Sequence, residues 1–393
     1  MPRVPTGAAA PTGEVVPAIP AYFDNAATTP LRPETLDAML PWLSGGPANP
    51  SGSHQLARAA RRAVDEARDV VAACLGCHPG EVVFTSGGTE ADNLAVLGAH
   101  RARPGQVLCS AVEHAAVLGP CRSVGGSTVP VDGMGRVDVG ALRAALHRDV
   151  VMVAVMAVNN EVGTVQPVDE VVAVVREAAP GAVVHADAVA AVTWLDVASV
   201  TSGCDLVAVT AHKFGGPHGV GALVVRDGTP WVPVLSGGSQ ERARRPGTVD
   251  VAGVVGMAAA LAASVAERAE TVTRVGALRD RLVAGLVSSG CGARPTLGAD
   301  FADVAVAGTA HMTFDGVQAE ELLLLLDRCG ICASAGSACA SGAMEPSHVL
   351  LAMGIASAAA RQALRFSLGR DTTAEDVDRV VDRVPVLVDR LRS

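Results

Sequence analysis

One lysine stands out in this chain, because Lys213 in "TAHKFGGPHGVG" is the single lysine among 31 Lys+Arg residues. A composition that uses arginine everywhere else indicates that this position needs an amine rather than a positive charge. Burial at the end of an apolar strand lowers the pKa of a lysine, and the neutral amine can then act as a nucleophile or base. A structural salt-bridge lysine is the alternative, but arginine would serve there. The position therefore favours a catalytic amine.

Two other motifs could bind a phosphate and a positively charged ring. In "FTSGGTEADN", Gly88 and Thr89 open a predicted helix directly after a strand, and backbone N–H groups there favour an anion. Asp187 in "HADAV" ends an apolar strand, where an acid is costly unless it has a cationic partner. Each motif alone is common, since many βα turns hold glycines and many aspartates cap helices. Combined with the lysine, they predict a site for pyridoxal phosphate (PLP).

A thiol in a run of small residues is the remaining candidate for covalent chemistry. Cys339 lies in "SAGSACASG", and small residues of this kind form accessible loops. A reactive cysteine needs access to solvent and surroundings that favour its thiolate. Burial as a small apolar side chain is the alternative, and the residues alone leave both interpretations open.

The other cysteines predict no metal or haem site. The string "CLGCH", from Cys74 to His78, matches c-type haem attachment, but it ends a helical stretch in a chain without an export signal. Cys329 and Cys332 form a second CxxC roughly 250 residues further on, whereas the pairs of a zinc ribbon lie much closer. Nine cysteines, an odd number, indicate reduced thiols. We therefore expect a cytoplasmic protein.

Charge and hydropathy argue against nucleic acid and membrane as partners. A net charge of −9 is opposite to that of nucleic-acid-binding proteins, and the cluster at Arg242, Arg244 and Arg245 is typical of a solvated turn. The longest apolar stretch, 251–266, is too short to span a membrane and predicts a buried helix. Residues 1–20 contain five prolines and no apolar segment, which predicts a flexible extension rather than a signal peptide.

Alternating strand and helix patterns begin near residue 80. Several strand-like runs are continuously apolar, as in strands that are covered on both faces of a mostly parallel sheet. The runs are 81–86, 106–112, 127–131, 150–158, 182–189, 206–212 and 221–225. Helical candidates between them include 89–102 and 169–179. This alternation predicts a doubly wound α/β domain, to which we assign residues 21–265.

The rest of the chain, residues 266–393, has a different pattern. It contains two short strand candidates, "AHMTF" and "RFSLG", and a helical candidate at 374–391. A smaller C-terminal α+β domain explains this mixture. Two domains also suit the length, because 393 residues exceed what one hydrophobic core usually supports.

Polar residues gather where the predicted strands of the large sheet end. Ligands of open α/β sheets bind beyond the carboxyl ends of the strands. The polar positions that follow the predicted strands are 86–89, 113–114, 159–161, Asp187 and 210–213. We therefore expect one site along this edge of the sheet, with Lys213 in it.

Ordered motifs throughout the chain resemble those of a known family. The motifs are "YFDNAATTP", "NPSGSH", "FTSGGTEADN", "EHAAVL", "NNEVGTVQP", "HADA", "HKFGGPHGVGAL", "RRPGT" and "SAGSACASG…EPSHVL…LRFSLGR". From Tyr22 to about Arg370 the sequence resembles the cysteine desulfurases of the NifS/IscS type, which have the class-V aminotransferase fold of PLP enzymes. The resemblance implies that fold, and it implies that Lys213 carries PLP.

The resemblance also implies roles for matching residues. His114 would stack on the cofactor ring and assist proton transfer, and Asp187 would pair with the ring nitrogen. Arg365 would hold the substrate carboxylate through two hydrogen bonds. Thr248 would reach the phosphate in the neighbouring subunit, which implies a homodimer. The other implied contacts are Gly88, Thr89, Thr210 and His212 at the phosphate, and Asn160 near the phenolic oxygen and the substrate.

The activity that the resemblance implies converts L-cysteine to L-alanine and leaves the sulfur as a persulfide on Cys339. An acceptor protein would then take the sulfur, for iron–sulfur clusters, thiolated tRNA or sulfur-containing metabolites. A selenocysteine or C–S lyase is a close alternative, although a lyase would not need the thiol. A PLP-fold subunit without activity is a third.

Two departures from the family bear on these expectations. Ala190 stands where the family has a glutamine that donates to the phenolic oxygen of the cofactor, so this chain lacks that donor. The sequence also ends soon after its last predicted helix. We therefore do not expect the C-terminal tail with which some relatives dock an iron–sulfur scaffold.

Overall fold

A computed structural model of the chain describes residues 20–46, 49–336 and 346–393. The predicted N-terminal extension, apart from its last residue, and Cys339 lie outside the described residues. The fold and the site are therefore built from the remaining chain.

The structure contains twelve strands and thirteen α-helices in its described part. The strands are β1 (Ala21–Tyr22), β2 (Val82–Thr85), β3 (Gln106–Ser110), β4 (Ser127–Val129), β5 (Val150–Met156), β6 (Val183–Asp187), β7 (Leu206–Thr210), β8 (Gly221–Val225), β9 (Ala293–Pro295), β10 (Thr309–Phe314), β11 (Ile331–Cys332) and β12 (Ala363–Ser367). The helices are α1 (Pro33–Ser44), α2 (Gln55–Leu75), α3 (Gly88–Ala102), α4 (Ala115–Ser123), α5 (Val139–Ala145), α6 (Val168–Ala178), α7 (Val197–Val200), α8 (Val251–Ser288), α9 (Phe301–Val304), α10 (Ala319–Arg328), α11 (His348–Ala352), α12 (Ser357–Ala360) and α13 (Ala374–Arg392).

The large sheet contains the seven predicted strands, in the order β2-β8-β7-β6-β5-β3-β4 within the described residues. Strand β8 runs antiparallel to both neighbours, and the other pairs are parallel. Alternate residues of β5 face opposite cores, with Val153 and Val155 in one and Met152 and Ala154 in the other. Helices pack on both faces, so the predicted doubly wound α/β fold is confirmed.

Several strands end earlier at their carboxyl ends than the sequence predicted. Strand β6 ends at Asp187, and β7 ends at Thr210, where the chain turns into a short 3₁₀ helix, Ala211–Lys213. Ala211 is apolar and as buried as the strand residues before it, so the sequence did not show that the strand ends at Thr210. The turn places the lysine at the edge of the sheet rather than within a strand.

A second sheet, in the order β12-β10-β9, has one apolar and one polar face. Ala310, Met312 and Phe314 of β10 are buried in a core shared with α8, α10 and α13. Most buried residues of the other face are polar, namely Thr309, His311, Thr313, Arg365 and Ser367, and Ala363 is the apolar exception. This face lies toward the large sheet, since a Cβ on Gly163 would meet the side chain of Thr309 at 2.7 Å. Both predicted C-terminal strands are thus present.

Helix α8 is 38 residues long and connects the two cores. Leu261 in its first half packs in the core of the large sheet, and Leu282 packs in that of the small sheet. By length and composition α8 could cross a bilayer, but 56% of its most apolar window is buried within the fold, so core packing explains its hydropathy. The boundary predicted at 265/266 falls inside this helix and stays a prediction.

Candidate active site

A cavity of about 240 Å³ opens at the carboxyl ends of the central strands. Its lining includes most of the residues that the sequence singled out, namely Gly88, Thr89, His114, Asn160, Asp187, Thr210, His212 and Lys213. Asp92, Met156, Val158, Val189 and Ala190 also line it. The edge of the parallel sheet thus brings these residues together, as expected for an open α/β sheet.

The side-chain amine of Lys213 is held in surroundings that lower its pKa. Its Nζ donates hydrogen bonds to the backbone carbonyls of Ala26, at 2.5 Å, and Ala27, at 2.9 Å. Burial, followed by the nearby Arg365 guanidinium, lowers the pKa of Lys213 from 10.5 to about 8, although the charge of Asp187 acts in the opposite direction. A substantial fraction of the amine is therefore neutral near pH 8.

The single lysine allows a direct test of this lowered pKa. With a pKa of about 8, roughly a tenth of the amine is neutral at pH 7, against about one part in three thousand for a pKa of 10.5. Reductive methylation of the apo-protein, followed by peptide mass spectrometry, should show a Lys213 labelling rate that rises with pH and levels off above pH 8. The same reaction on a short peptide containing this lysine gives the unperturbed profile. A protein profile that matches the peptide would contradict the burial argument.

Asp187 is a buried carboxyl group without a cationic partner in the described part of the chain. It is 4% exposed at the end of β6, and its Oδ1 accepts a hydrogen bond from the Val189 N–H at 2.9 Å. Burial, followed by the negative charge of Asp92, raises the pKa of Asp187 to about 7. A positively charged ligand atom at this place would stabilise the carboxylate.

The turn between β2 and α3 forms a narrow cradle. Gly87 has a φ of 148°, a conformation that favours glycine. A Cβ on Gly88 would meet Val189 Cγ2 at 2.8 Å, so only glycine allows the two backbone segments to approach this closely. The first N–H groups of a helix have no partners inside it. The start of α3, beside Thr210, is therefore suited to an anion.

Two histidines present neutral rings to the cavity. The Nδ1 of His114 accepts the Ala116 N–H at 3.1 Å, so Nε2 carries the ring proton. Burial lowers the pKa of His114 and, with Lys213, lowers that of His212 to about 4. The His212 ring stacks on His218 at a centroid distance of 5.2 Å. Both site histidines can therefore offer an aromatic face or a single N–H group.

Arg365 lies on β12, on the polar face of the small sheet, and is fixed by two contacts. One terminal nitrogen donates to the Asn160 carbonyl and the other to Asp24 Oδ1, each at 2.7 Å. The guanidinium is near the lysine, because it contributes to the lowered pKa of Lys213. No role was predicted for Asp24, although it lies in the first of the quoted motifs.

Thr248 does not line the cavity of its own chain. It is exposed and follows a loop in which Glu241, Arg242 and Ala243 have φ angles of 48°, 58° and 61°. Such left-handed conformations are costly for these residue types and persist only when the surroundings hold them. Buried ion contacts provide that support, since Glu241 binds the guanidinium of Arg68 at 2.6 Å. The structure thus presents Thr248 outward.

Cys339 lies outside the described residues, but the residues on either side of the segment 337–345 lie at the site. A Cβ on Gly336 would meet Glu161 Oε2 at 3.2 Å. On the other side, Ser347 Oγ donates a hydrogen bond to the same oxygen at 2.5 Å. Glu161 directly follows a residue that lines the cavity, so the described residues Gly336 and Ser347 lie close to the cavity.

A buried acid–imidazole pair next to the cavity was missed from the sequence. His185 Nε2 lies 3.0 Å from Asp92 Oδ1, and both residues are at most 1% exposed. Burial raises the pKa of Asp92 and lowers that of His185 to about 4. Because His185 precedes Asp187 by two residues, both side chains lie on one face of β6, and this spacing was the available signal.

Comparison with known proteins adds a family to this geometry. Residues 21–380 match the sequence profile of the family described as aminotransferase class-V. The chain belongs to the class-V aminotransferase family. Among its relatives, the cysteine desulfurase of Cereibacter sphaeroides is 45% identical over 381 residues, which cover 95% of this chain and 96% of that protein. The family assignment agrees with the predicted resemblance and fold.

Solved structures of this family share the fold over most of their length. A NifS-like protein superposes with a TM-score of 0.88 at 32% identity, covering 95% of this chain and 100% of that one. SspA in complex with cysteine superposes with a TM-score of 0.76 at 31% identity, covering 90% of this chain and 99% of that one. The class-V aminotransferase fold therefore extends through both sheets of this chain.

Proposed function

We propose that this protein is a PLP-dependent cysteine desulfurase that converts L-cysteine to L-alanine and retains the sulfur on Cys339. One observation carries the proposal: a lysine of lowered pKa, a buried carboxyl group with no cationic partner among the described residues and the N-terminus of α3 all face one cavity. The relative named cysteine desulfurase and the SspA structure containing cysteine support the substrate.

The residues of the cavity fit PLP group by group. The cradle at Gly88 and Thr89, with Thr210 and His212, suits the phosphate, because backbone N–H groups and neutral donors converge there. The carboxyl group of Asp187 suits a ring nitrogen that carries a proton. When bound, PLP would supply an aldehyde carbon that bonds to amines and a ring that accepts an electron pair.

The side chains around that ring divide the remaining tasks. Lys213, as a neutral amine, holds the cofactor and then takes the proton from the α-carbon of the substrate. Asp187 keeps a proton on the ring nitrogen by offering its negative charge. Arg365 binds the substrate carboxylate with its remaining N–H groups. His114, which lines the cavity, would face the ring and could pass a proton through Nε2.

The thiol of Cys339 determines which product forms from the bound L-cysteine. The Cys339 thiolate attacks the substrate sulfur, so a sulfur–sulfur bond forms while the carbon–sulfur bond of cysteine breaks. The electron pair of the broken bond stays with the carbon and takes up a proton, which yields alanine. The positions of Gly336 and Ser347 beside Glu161 support this role, because these two described residues lie close to the cavity.

Ala190 gives a test of the cofactor environment that does not depend on turnover. It lines both the proposed cofactor cavity and a smaller adjoining pocket of about 50 Å³, so a longer side chain would extend into the cofactor cavity. A donor at this position draws negative charge from the phenolic oxygen, which otherwise helps to hold a proton on the neighbouring nitrogen. Ala190→Gln should therefore lower the pH at which the absorbance of bound PLP changes, by roughly one unit. Ala190→Leu, which fills space without donating, is the control, and equal shifts in both variants would contradict the donor argument.

A homodimer is part of the proposal. Leu36, Leu40 and Leu43 of α1 are 49%, 53% and 63% exposed, and their spacing places them on one side of the helix. An exposed apolar stripe of this kind is typical of a protein interface. Thr248 points outward from a strained loop rather than into its own cavity, which suits a contact with the phosphate site of a second copy.

The sulfur acceptor is proposed to be a protein thiol in the cytoplasm. The outer sulfur of a persulfide transfers by attack of another thiolate. A net charge of −9 supports a protein as the acceptor rather than direct transfer to nucleic acid.

Product analysis tests the proposed function against its nearest alternative. PLP-loaded protein with L-cysteine and a thiol reductant should form alanine and sulfide in equal amounts. A C–S lyase also releases sulfide but forms pyruvate and ammonia in place of alanine, and a subunit without activity forms none of these products. Pyruvate as the main product, or no product from protein with the absorbance of bound PLP, would overturn the proposal.

A further inference from the structure

Two buried nitrogen atoms on neighbouring strands lack a hydrogen-bond partner in the described part of the chain. They are Nε2 of His311 on β10 and Nε of Arg365 on β12. The two residues are 5% and 3% exposed, so solvent does not satisfy either atom. Since buried polar groups are nearly always hydrogen-bonded, each of these atoms needs a partner.

The strand register places the two side chains next to each other. His311 and Arg365 are directly opposite in the antiparallel pair of β10 and β12. The backbone N–H and C=O of Arg365 both bond to Ser334, on the other side of β12. Toward β10 the two residues therefore form a non-hydrogen-bonded pair, the arrangement in which opposite side chains approach most closely.

The chemistry of the two atoms is complementary. An arginine Nε can only donate, whereas a neutral imidazole has one donor and one acceptor nitrogen. Burial, followed by the charge of Arg365, lowers the pKa of His311 to about 3, so the ring is neutral. Its Nδ1 lies 2.8 Å from Thr296 Oγ1, which in turn lies 3.1 Å from Thr313 Oγ1. With the Nδ1 proton directed at this hydroxyl pair, Nε2 offers a lone pair to the guanidinium.

We propose that His311 is a positioning residue for Arg365, with its Nε2 accepting a hydrogen bond from Arg365 Nε directly or through one water. One terminal nitrogen of Arg365 already donates an N–H group to the Asn160 carbonyl, and the other donates one to Asp24. His311 fixes the third side of the guanidinium, and one N–H group on each terminal nitrogen stays free for a carboxylate. The inference rests on the proposed function, in which that carboxylate belongs to the amino-acid substrate.

A pair of ligands isolates the effect on carboxylate binding. L-Alanine and ethylamine differ by the carboxylate alone, and each changes the absorbance of PLP-loaded protein without turnover. The dissociation constant of ethylamine divided by that of L-alanine therefore measures how much Arg365 contributes to binding of the carboxylate. In His311→Leu this ratio should fall roughly tenfold, as expected for a lost hydrogen bond to a charged group. In His311→Gln, whose side chain places an acceptor near the Nε2 position, the ratio should stay near that of the wild type.

Controls separate a positioning role from a structural one. Met312→Leu changes the opposite face of the same strand and should leave the ratio unchanged. Should His311→Leu not fold, Thr296→Val removes the partner of Nδ1 and should lower the ratio in the same direction. An unchanged ratio in whichever of these two variants folds would overturn the role of His311. A wild-type protein that binds both ligands equally would instead overturn the carboxylate site and the proposed function with it.

Discussion

Replacing Lys213 by arginine should abolish turnover of L-cysteine and covalent attachment of PLP. The guanidinium keeps the positive charge but cannot become a neutral nucleophile or base at any pH where the protein folds. Loss of a positioned general base alone lowers rates by roughly 10²–10⁴-fold, and loss of the cofactor bond adds to this. The rate of alanine formation should therefore be about 10³-fold or more below that of the wild type. When the PLP-loaded variant is treated with borohydride and then denatured, gel filtration should remove its PLP.

Chemical rescue sharpens this test. Lys213→Ala leaves a space at the cavity wall, and a small added amine such as methylamine should restore part of the proton transfer. The arginine side chain of Lys213→Arg should fill that space and prevent methylamine from restoring activity. Comparing the two variants therefore shows whether an external base that enters the space can replace the lysine amine. Turnover by Lys213→Arg above a tenth of the wild-type rate would show that this amine is not the catalytic group.

Replacing Cys339 by serine should stop alanine formation while leaving the binding of L-cysteine intact. Removal of a catalytic nucleophile lowers turnover by about 10⁴-fold or more, and no described residue that lines the cavity has a thiol that could take the sulfur instead. The absorbance change of PLP on adding L-cysteine should persist, since Lys213 and Arg365 are unaffected. Rapid-scan absorbance and alanine assays on the same sample measure both effects.

Cys332 supplies the matched control for that variant. It lies seven positions before Cys339 in sequence, on β11, and burial raises the pKa of its thiol, so little thiolate forms. Cys332→Ser should therefore turn over at nearly the wild-type rate. Loss of activity in both serine variants, or in Cys332→Ser alone, would contradict the assignment of the nucleophile.

Much of the fold follows from local pattern. Continuous apolar runs such as β5 identify strands buried on both faces, and their alternation with amphipathic helices determines the layered architecture. The edge rule for open sheets then places Asp187 and Lys213 in one cavity before any coordinates are known. These parts of the site were predictable because strand ends are marked by a change from apolar to polar residues.

Other parts depend on contacts between distant segments, which a single sequence does not show. The partner of Arg365 is Asp24, more than three hundred residues earlier. Three consecutive residues starting at Glu241 have left-handed backbone conformations, and none of them is a glycine that would mark the turn in the sequence. The turn is held by the contact between Glu241 and the distant Arg68. Helix α8 continues unbroken from one core to the other, although its apolar stretch ends at residue 266, so the change in sequence does not mark a break in the chain.

The most direct test of the central claim is a single-turnover experiment with isotopically labelled L-cysteine and no reductant. PLP-loaded wild-type protein should release one alanine per active site and keep one labelled sulfur atom, located by peptide mass spectrometry on Cys339. Alanine without sulfur on that cysteine, or sulfide released together with pyruvate, would contradict the account. Labelled sulfur on Cys339 that equals the alanine formed would establish the cysteine desulfurase reaction in this chain.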